Sequence, residues 1–411
     1  MRFRTNRAFA TRLLLLFAAT GIFALPVRAG VFDPDVYGNG MSLGQYMREV
    51  PGGGQPGGPD YTFLMGKYEI TNAQFSAFLN DAQLDGGATG KGSNMVFESN
   101  GWVRMVGDPF TMFRTLGVYS GIQYNSAAPI GQRYYVRANT PQMDYSPFPA
   151  SQMSLFGAMK FCNWLTLDQG LGESARVYHE GTTLQDWHPM SISTADYVTR
   201  DVNATERQDL VDNYLGYRLP MDNQTTTASA YNEFYKAAAW STTALANRTF
   251  GMGRNSIDNR DANGVGLHPD YDPKFPFTID DPFETDNDIQ TTPVGFYDGT
   301  NWQRSQWNWP LPMATFQTRA NLNSYGIFDL SGNVNDWMQD RFLDPFINHV
   351  SRSGSYFRDA SELTVTYREV NLIMSNSSEL GLRVVRIPEP TTLSLMFFAL
   401  FAAKSGRHRR V

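Results

Sequence analysis

The sequence predicts a loop-rich α+β fold with short strands and about three helices, bracketed by two terminal segments that lie outside the fold. Three observations predict it. Of 411 residues, 42% are apolar and 14% aromatic, enough to build a sizeable core and too many for a disordered chain. Only three stretches carry a sustained helical period. Between them Gly, Pro, Asn and Asp interrupt the chain every few residues, with 36 Gly and 22 Pro, and no repeat of fixed period is visible. The length allows one large domain or two ordinary ones.

Residues 1–29 read as a secretory signal. Arg2, Arg4, Arg7 and Arg12 form a basic start, Leu13 to Leu25 an uncharged apolar run, and Val27-Arg28-Ala29 a small-residue cleavage site. A permanent anchor is the other reading, but 13 residues fall short of the roughly 20 that a span needs. Residues 30–387 form the domain. Within it, the Gly/Pro-rich stretch 51–59 predicts a flexible loop or linker. Tyr61 to Ile70 reads as extended chain. Thr71 and Gln74 make a capping box, and Phe75, Phe78, Leu79 and Ala82 give the following helix its apolar face. Ser154 caps a second helix with the stripe Leu155, Ala158, Met159, Cys162 and Leu165. A third runs over about Ala230–Trp240, with Tyr231, Phe234, Tyr235 and Ala238 on one side. Asp258 to Gly264 alternates oxygen-bearing side chains ahead of a glycine but lacks the closing glutamate of a calcium loop. It is either a calcium loop or a plain turn.

The C-terminus, 388–411, has three parts: Pro388-Glu389-Pro390, an apolar run from Thr391 to Ala403, and a basic end with Lys404, Arg407, Arg409 and Arg410. The order resembles the PEP-CTERM sorting signal of Gram-negative bacteria. That resemblance implies recognition of Pro388, Glu389 and Pro390 by an exosortase-type transpeptidase, a transient membrane anchor, and delivery to the cell surface or extracellular matrix. A plain tail anchor is the alternative. Residues 1–29 and 391–411 together hold nine positive charges and no acid, so the net charge of −6 becomes −15 without them. A core this acidic disfavours nucleic acid as a partner, and the membrane is met only through the terminal signals.

Several separated blocks resemble, in order, the formylglycine-generating enzyme or sulfatase-modifying factor family. They are Met65 to Phe75; Pro149 to Ser154 with Phe161 to Leu165; Tyr217 to Pro220 with Glu233 to Ala238; and Thr292 to Phe296. They continue with Asn323 to Trp337, Arg352 to Tyr356, and Leu380 to Val385. The resemblance implies a variant of the C-type lectin fold. It also implies Ca²⁺ held by Asp329, Gly332, Val334 and Asp336, two through side chains and two through main-chain carbonyls. Two carboxylates and two carbonyls within eight residues are the hard oxygen donors that calcium takes. Hydrogen-bonded turns at the two aspartates are the alternative.

Active members of that family oxidise a sulfatase cysteine with O₂, using two cysteines just after a Gly-Ser-aromatic motif. Here Gly354-Ser355-Tyr356 keeps the motif, but the first cysteine position falls on Arg358 and the second on Leu363 or Thr364. The family's tryptophan before the last calcium position is Asn335. Copper is therefore not expected, because a guanidinium cannot bind Cu(I). The candidate pocket is Ser355, Tyr356, Arg358 and Asn335. The single cysteine, Cys162, reads as a buried hydrophobe. Of the five histidines, His179, His188, His268, His349 and His408, none lies at close metal-ligand spacing. Trp302, Trp307, Trp309 and Tyr297, or Phe357 with Tyr356, either stack on a ligand or fill core. The resulting expectation is a calcium-braced binding or structural module for a glycan or protein ligand. The alternative is an enzyme of altered chemistry in which Arg358 favours an anionic substrate.

Overall fold

The computed structural model describes residues 46–85, 95–97, 100–105, 111–115, 120–139, 143–181, 183, 186–265, 267, 282–283, 290–309, 312–342 and 348–389. The expected signal over 1–29, the tail from Pro390 onward, His268 and His408 lie outside the described residues. Among the described residues no helix is long and apolar enough to cross a membrane.

The chain opens on an antiparallel pair, β1 (Met47–Val50) and β2 (Phe63–Gly66). The Gly/Pro-rich stretch between them is a loop, as expected, but a closed one rather than a linker. Gly53 N–H donates to Pro59 O at 3.0 Å, and buried Gln55 reaches Asn247 Oδ1 at 2.6 Å. Helix α1 (Asn72–Asp85) starts at the expected box: Thr71 N–H donates to Gln74 Oε1 at 3.0 Å, and Gln74 N–H lies 3.5 Å from Thr71 Oγ1. A three-stranded sheet follows from β3 (Met95–Phe97), β4 (Trp102–Met105) and β5 (Thr111–Arg114). Next come two short ribbons, β6 (Ile122–Tyr124) with β7 (Tyr134–Val136), and β8 (Ala138–Asn139) with β9 (Met143–Asp144).

Helix α2 (Leu155–Asp168) is capped by Ser154 and buried along nearly its whole length. Its Phe161 stacks on Phe75 of α1, ring centroids 5.5 Å apart, and its Trp164 meets Phe78 at 5.4 Å. Burying each such ring is worth about 2–3 kcal/mol, so the two helices bind through an aromatic seam. Strands β10 (Tyr178–His179) and β11 (His188–Pro189) form a small ribbon. A single-turn helix α3 (Thr194–Tyr197) precedes α4 (Ala204–Asn213). The sequence reading omits α4, because it buries only Arg207, Leu210 and Val211. Its capping box, Asn203 with Glu206, is nevertheless present. The third expected helix is α5 (Glu233–Ala239). It is shorter at both ends than expected: Asn232 caps it, and Trp240 leaves into β12 (Trp240–Ser241), which pairs with β13 (Ala246–Asn247).

The remaining elements carry the site. β14 (Asn301–Gln303), α6 (Arg304–Trp307) and β15 (Thr315–Gln317) build an aromatic satellite. β16 (Asn335–Phe342), β17 (Asn348–Arg352), β18 (Glu369–Leu372) and β19 (Leu380–Gly381) form a four-stranded sheet ordered β18-β17-β16-β19, with β19 parallel to β16. β20 (Val385–Arg386) pairs with β2, so 380–386 runs from one sheet into the other. One core lies between α1, α2 and the β3-β4-β5 sheet, and a second holds α5 against Phe63, Met338 and Val350.

His349 of β17 is buried, its Nε2 3.1 Å from Tyr197 Oη. Burial first, then the neighbouring Arg341, push its pKa down to about 3 against the pull of Asp340. The folded chain keeps it neutral while the unfolded chain takes up a proton near pH 6.5. Its contribution is therefore full above about pH 6.5 and lost as pH falls toward 3. Asp201, raised to about 7 by burial and by Asp340, moves the opposite way, so the difference between two chains is the readout. Unfolding by denaturant at pH 7.5 and pH 4.5 should show wild type losing about 2–3 kcal/mol more than His349→Gln between those two pH values.

Candidate functional site

The block from Asn323 to Trp337 folds as a tight double turn before entering β16. Asp329, Gly332 and Asn333 all take positive φ, at 56°, 92° and 67°. Position 332 admits only glycine, because a Cβ there would lie 2.2 Å from Asn263 O. The turn is locked from outside. Asn333 accepts from Thr292 N–H at 3.0 Å and donates to Glu69 Oε2 at 2.7 Å. Asp329 Oδ2 accepts from Gly295 N–H at 2.6 Å.

Under this turn lies a buried cluster of three carboxyls and one guanidinium: Glu69, Asp329, Asp336 and Arg383, none more than 2% exposed. Arg383 Nε donates to Asp336 Oδ2 at 3.0 Å, Nη1 to Gly66 O at 2.9 Å and Nη2 to Asp329 O at 3.2 Å. One positive group faces three acids, so negative charge is in surplus. Burial first, then Asp329 and Asp336, push Glu69 well up. Burial carries Asp329 to about 6 against the Gly295 N–H and Arg383, and raises Asp336 against Arg383. Glu69 belongs to this cluster although the sequence reading gave it no role.

All four expected calcium residues sit in this one turn, at its junction with β16. The donors on offer are hard oxygens. Asp336 Oδ2 is engaged by Arg383, but its Oδ1 is buried without a hydrogen-bond partner. That open oxygen and the surplus charge fit an oxygen-seeking cation. Among the described residues no group of three or more His, Cys, Asp or Glu is placed to hold a metal; the expected set has two carboxylates, the rest being main chain.

Asn335 and Asp336 face opposite sides of β16. On the Asn335 side the expected pocket residues come together around two glutamates that the sequence reading missed. Arg358 pairs with Glu369 and, at 3.3 Å, with Glu379. Asn335 Nδ2 donates to Glu369 Oε2 at 2.6 Å, and Ser355 Oγ to Glu379 Oε2 at 2.7 Å. Tyr356 Oη meets Ser378 Oγ at 2.8 Å. Burial raises Glu369, with Arg358 opposing and Glu379 adding. Asn335 Oδ1 and Arg358 Nε are left without partners. The cluster sits near the surface, and Phe357 beside it is 60% exposed. Gly354 is required for the turn, since a Cβ would meet Leu363 Cδ2 at 2.5 Å.

Other expected positions fall elsewhere. Arg358 stands where the first family cysteine was expected. Leu363 is fully buried, and Thr364 caps back to Ser361 O at 3.1 Å. Cys162 is fully buried in the first core, which pushes its thiol pKa up. Asp258 and Asp261 are taken by Arg254, Arg260 and Arg319, so that loop is an ion-paired turn. Trp309 and Tyr297 are core; Trp302 and Trp307 are part-buried against it. Pro388 and Glu389 follow β20, with Glu389 exposed and 3.4 Å from Arg386. The histidine reading needs correction, because nine residues of separation hide a pair: the β10–β11 register sets His179 opposite His188, ring centroids 5.0 Å apart.

Residues 61–388 match the model of the sulfatase-modifying factor enzyme 1-like domain. The chain belongs to that family. Its fold of few helices and many short strands accords with the family. The chain is similar to three solved structures. The crystal structure of CarF is 15% identical, over 84% of this chain and 98% of that chain, with a TM-score of 0.39. Treponema denticola variable protein 1 is 16% identical, over 83% and 95%, with a TM-score of 0.40. PvdO from Pseudomonas aeruginosa is 15% identical, over 84% and 91%, with a TM-score of 0.37. No curated protein matches the chain.

Arg358 separates two carboxylates that would otherwise repel. Arg358→Leu should cost about 1–2 kcal/mol at pH 8. The cost should shrink at pH 5, because Glu369, which burial already raises, rises further once the opposing cation is gone. Thermal melts of both chains at the two pH values measure this.

Proposed function

We propose that this sulfatase-modifying-factor-like chain is a binding module rather than a formylglycine generator. In this reading it is exported, sorted through its C-terminal signal by exosortase-type machinery and held at the bacterial surface or matrix. One observation carries the reading: Arg358, at the first expected cysteine position, is ion-paired to Glu369 and Glu379, while the chain's one cysteine is buried in the core. No thiol is therefore available to hold Cu(I) or exchange with a substrate cysteine.

The polar cluster then serves as the ligand contact. Arg358, Glu369 and Glu379 are part-exposed, Asn335 Oδ1 and Arg358 Nε lie buried behind them without partners, and Phe357 adds an exposed ring beside them. An exposed ring next to paired polar groups suits a sugar or a peptide. Calcium fits the other side of β16. The carboxylates of Asp329 and Asp336 with the carbonyls of Gly332 and Val334 would hold it, and the ion would neutralise buried charge and brace the turn. A lectin-like scaffold, in which a rigid frame supports variable ligand loops, suits this role. The alternative, an enzyme of altered chemistry, draws on the same two glutamates, since a carboxylate pair can pass protons.

A test uses residues 30–387. Incubated with Cu(I), oxygen and a cysteine-containing sulfatase peptide, the protein should consume no oxygen and show no thiolate–Cu(I) absorption in the ultraviolet; turnover would overturn the reading. Glycan and peptide arrays, with and without chelator, should reveal a ligand whose binding Arg358→Leu abolishes. Calcium should raise the melting temperature. Asp329→Asn, which can keep the Gly295 hydrogen bond but drops a charge, should weaken calcium at least about tenfold.

A further inference from the structure

The ribbon of β10 and β11 touches β16 through Tyr178 Oη, which donates to Gln339 Oε1 at 3.3 Å, and takes no part in the reading above. Its register places His179 directly opposite His188. The two imidazoles lie with centroids 5.0 Å apart and planes 31° from parallel. That separation leaves room for an ion about 2.1 Å from one nitrogen of each ring.

The tautomer of His188 is set for such a role. Its Nδ1 lies 2.8 Å from the Pro189 carbonyl oxygen, which can only accept, so Nδ1 carries the proton. The lone pair is therefore on Nε2, which faces the Thr194 hydroxyl at 3.0 Å. A ring whose far N–H is fixed by a backbone carbonyl is the arrangement that orients metal-binding histidines. The threonine hydroxyl is the group an incoming ion would displace, by one rotation about its own Cα–Cβ bond. His179 is exposed, which gives the ion a path from solvent. Asp186, further along the same hairpin, adds a negative charge felt at His188. It packs against Gly181, where a Cβ would meet Asp186 Cβ at 1.8 Å, so glycine lets the two arms close up.

The geometry points to a divalent transition-metal site in which His179 and His188 chelate one ion of the zinc or nickel class, with its remaining positions open to water. Imidazole pairs suit such ions and not calcium, so the site is chemically separate from the turn at Asp329.

The test is titration of the tag-free full chain with Ni²⁺ and Zn²⁺ by calorimetry, with melting temperature as a second readout. One equivalent should bind, and the melting temperature should rise with metal by mass action. His179→Asn, at an exposed position, should weaken binding at least about tenfold and remove the thermal shift while leaving the metal-free melt unchanged. Thr194→Val, which removes the competing hydroxyl, should preserve or tighten binding. Absence of binding would overturn the proposal, as would binding that His179→Asn leaves untouched. Loss of calcium binding at Asp329, or oxygen turnover, would bear on the proposed function and leave this site standing.

Discussion

The guanidinium of Arg383 is the charge on which both sheets close. It sits on the segment that leaves β19 and enters β20, so its position is fixed by two sheets at once. From there it bonds Asp336 of the four-stranded sheet, the carbonyl of Gly66 in the sheet of β1, β2 and β20, and the carbonyl of Asp329 in the turn. A buried pair like this adds little compared with a well-packed apolar substitute, yet losing one partner costs about 3–5 kcal/mol. Its value here is positional. Three hydrogen bonds in fixed directions allow one arrangement of turn and sheets, where apolar contacts would tolerate several.

That arrangement gives β16 two faces of different character. Asp336 looks into the buried cluster with Glu69 and Asp329, and Asn335 looks out to Glu369 and the arginine at 358. Burial drives the acids of the inner face upward, so any change that adds or removes a positive group there moves the turn that also supports Ser355 and Tyr356. Tyr356 N–H donates to Asn333 O at 2.9 Å, a direct link between the turn and the outer cluster. A scaffold of this kind can change what its outer face meets while its inner face stays in place.

Much of the architecture was legible in local signals. Thr71 with Gln74 and Ser154 before an apolar stripe each mark a helix start, because capping is satisfied within four residues of chain. The helix at 204–213 was passed over since its apolar face is thin, although Asn203 and Glu206 signal it. Trp309 and Tyr297 could not be told from ligand-stacking aromatics, as burial is a property of the packed whole. The residues of the candidate pocket were legible, whereas Glu69, Glu369 and Glu379 were not: Glu69 reaches the turn from the far end of the domain, Glu369 and Glu379 from segments that fold back beside Arg358, and none carries a local mark.

The sequence by itself determined the starts of the helices at 72 and 155 and the absence of a second cysteine. These follow from composition and from interactions that span only a few positions. Only the tertiary structure decided which acids share a cation, that the Gly/Pro-rich loop closes on itself, and that two histidines nine residues apart meet across a ribbon. The physical reason is the same each time: charge pairing and strand register depend on distances through space, and the order of residues along a chain does not contain them until the chain has folded.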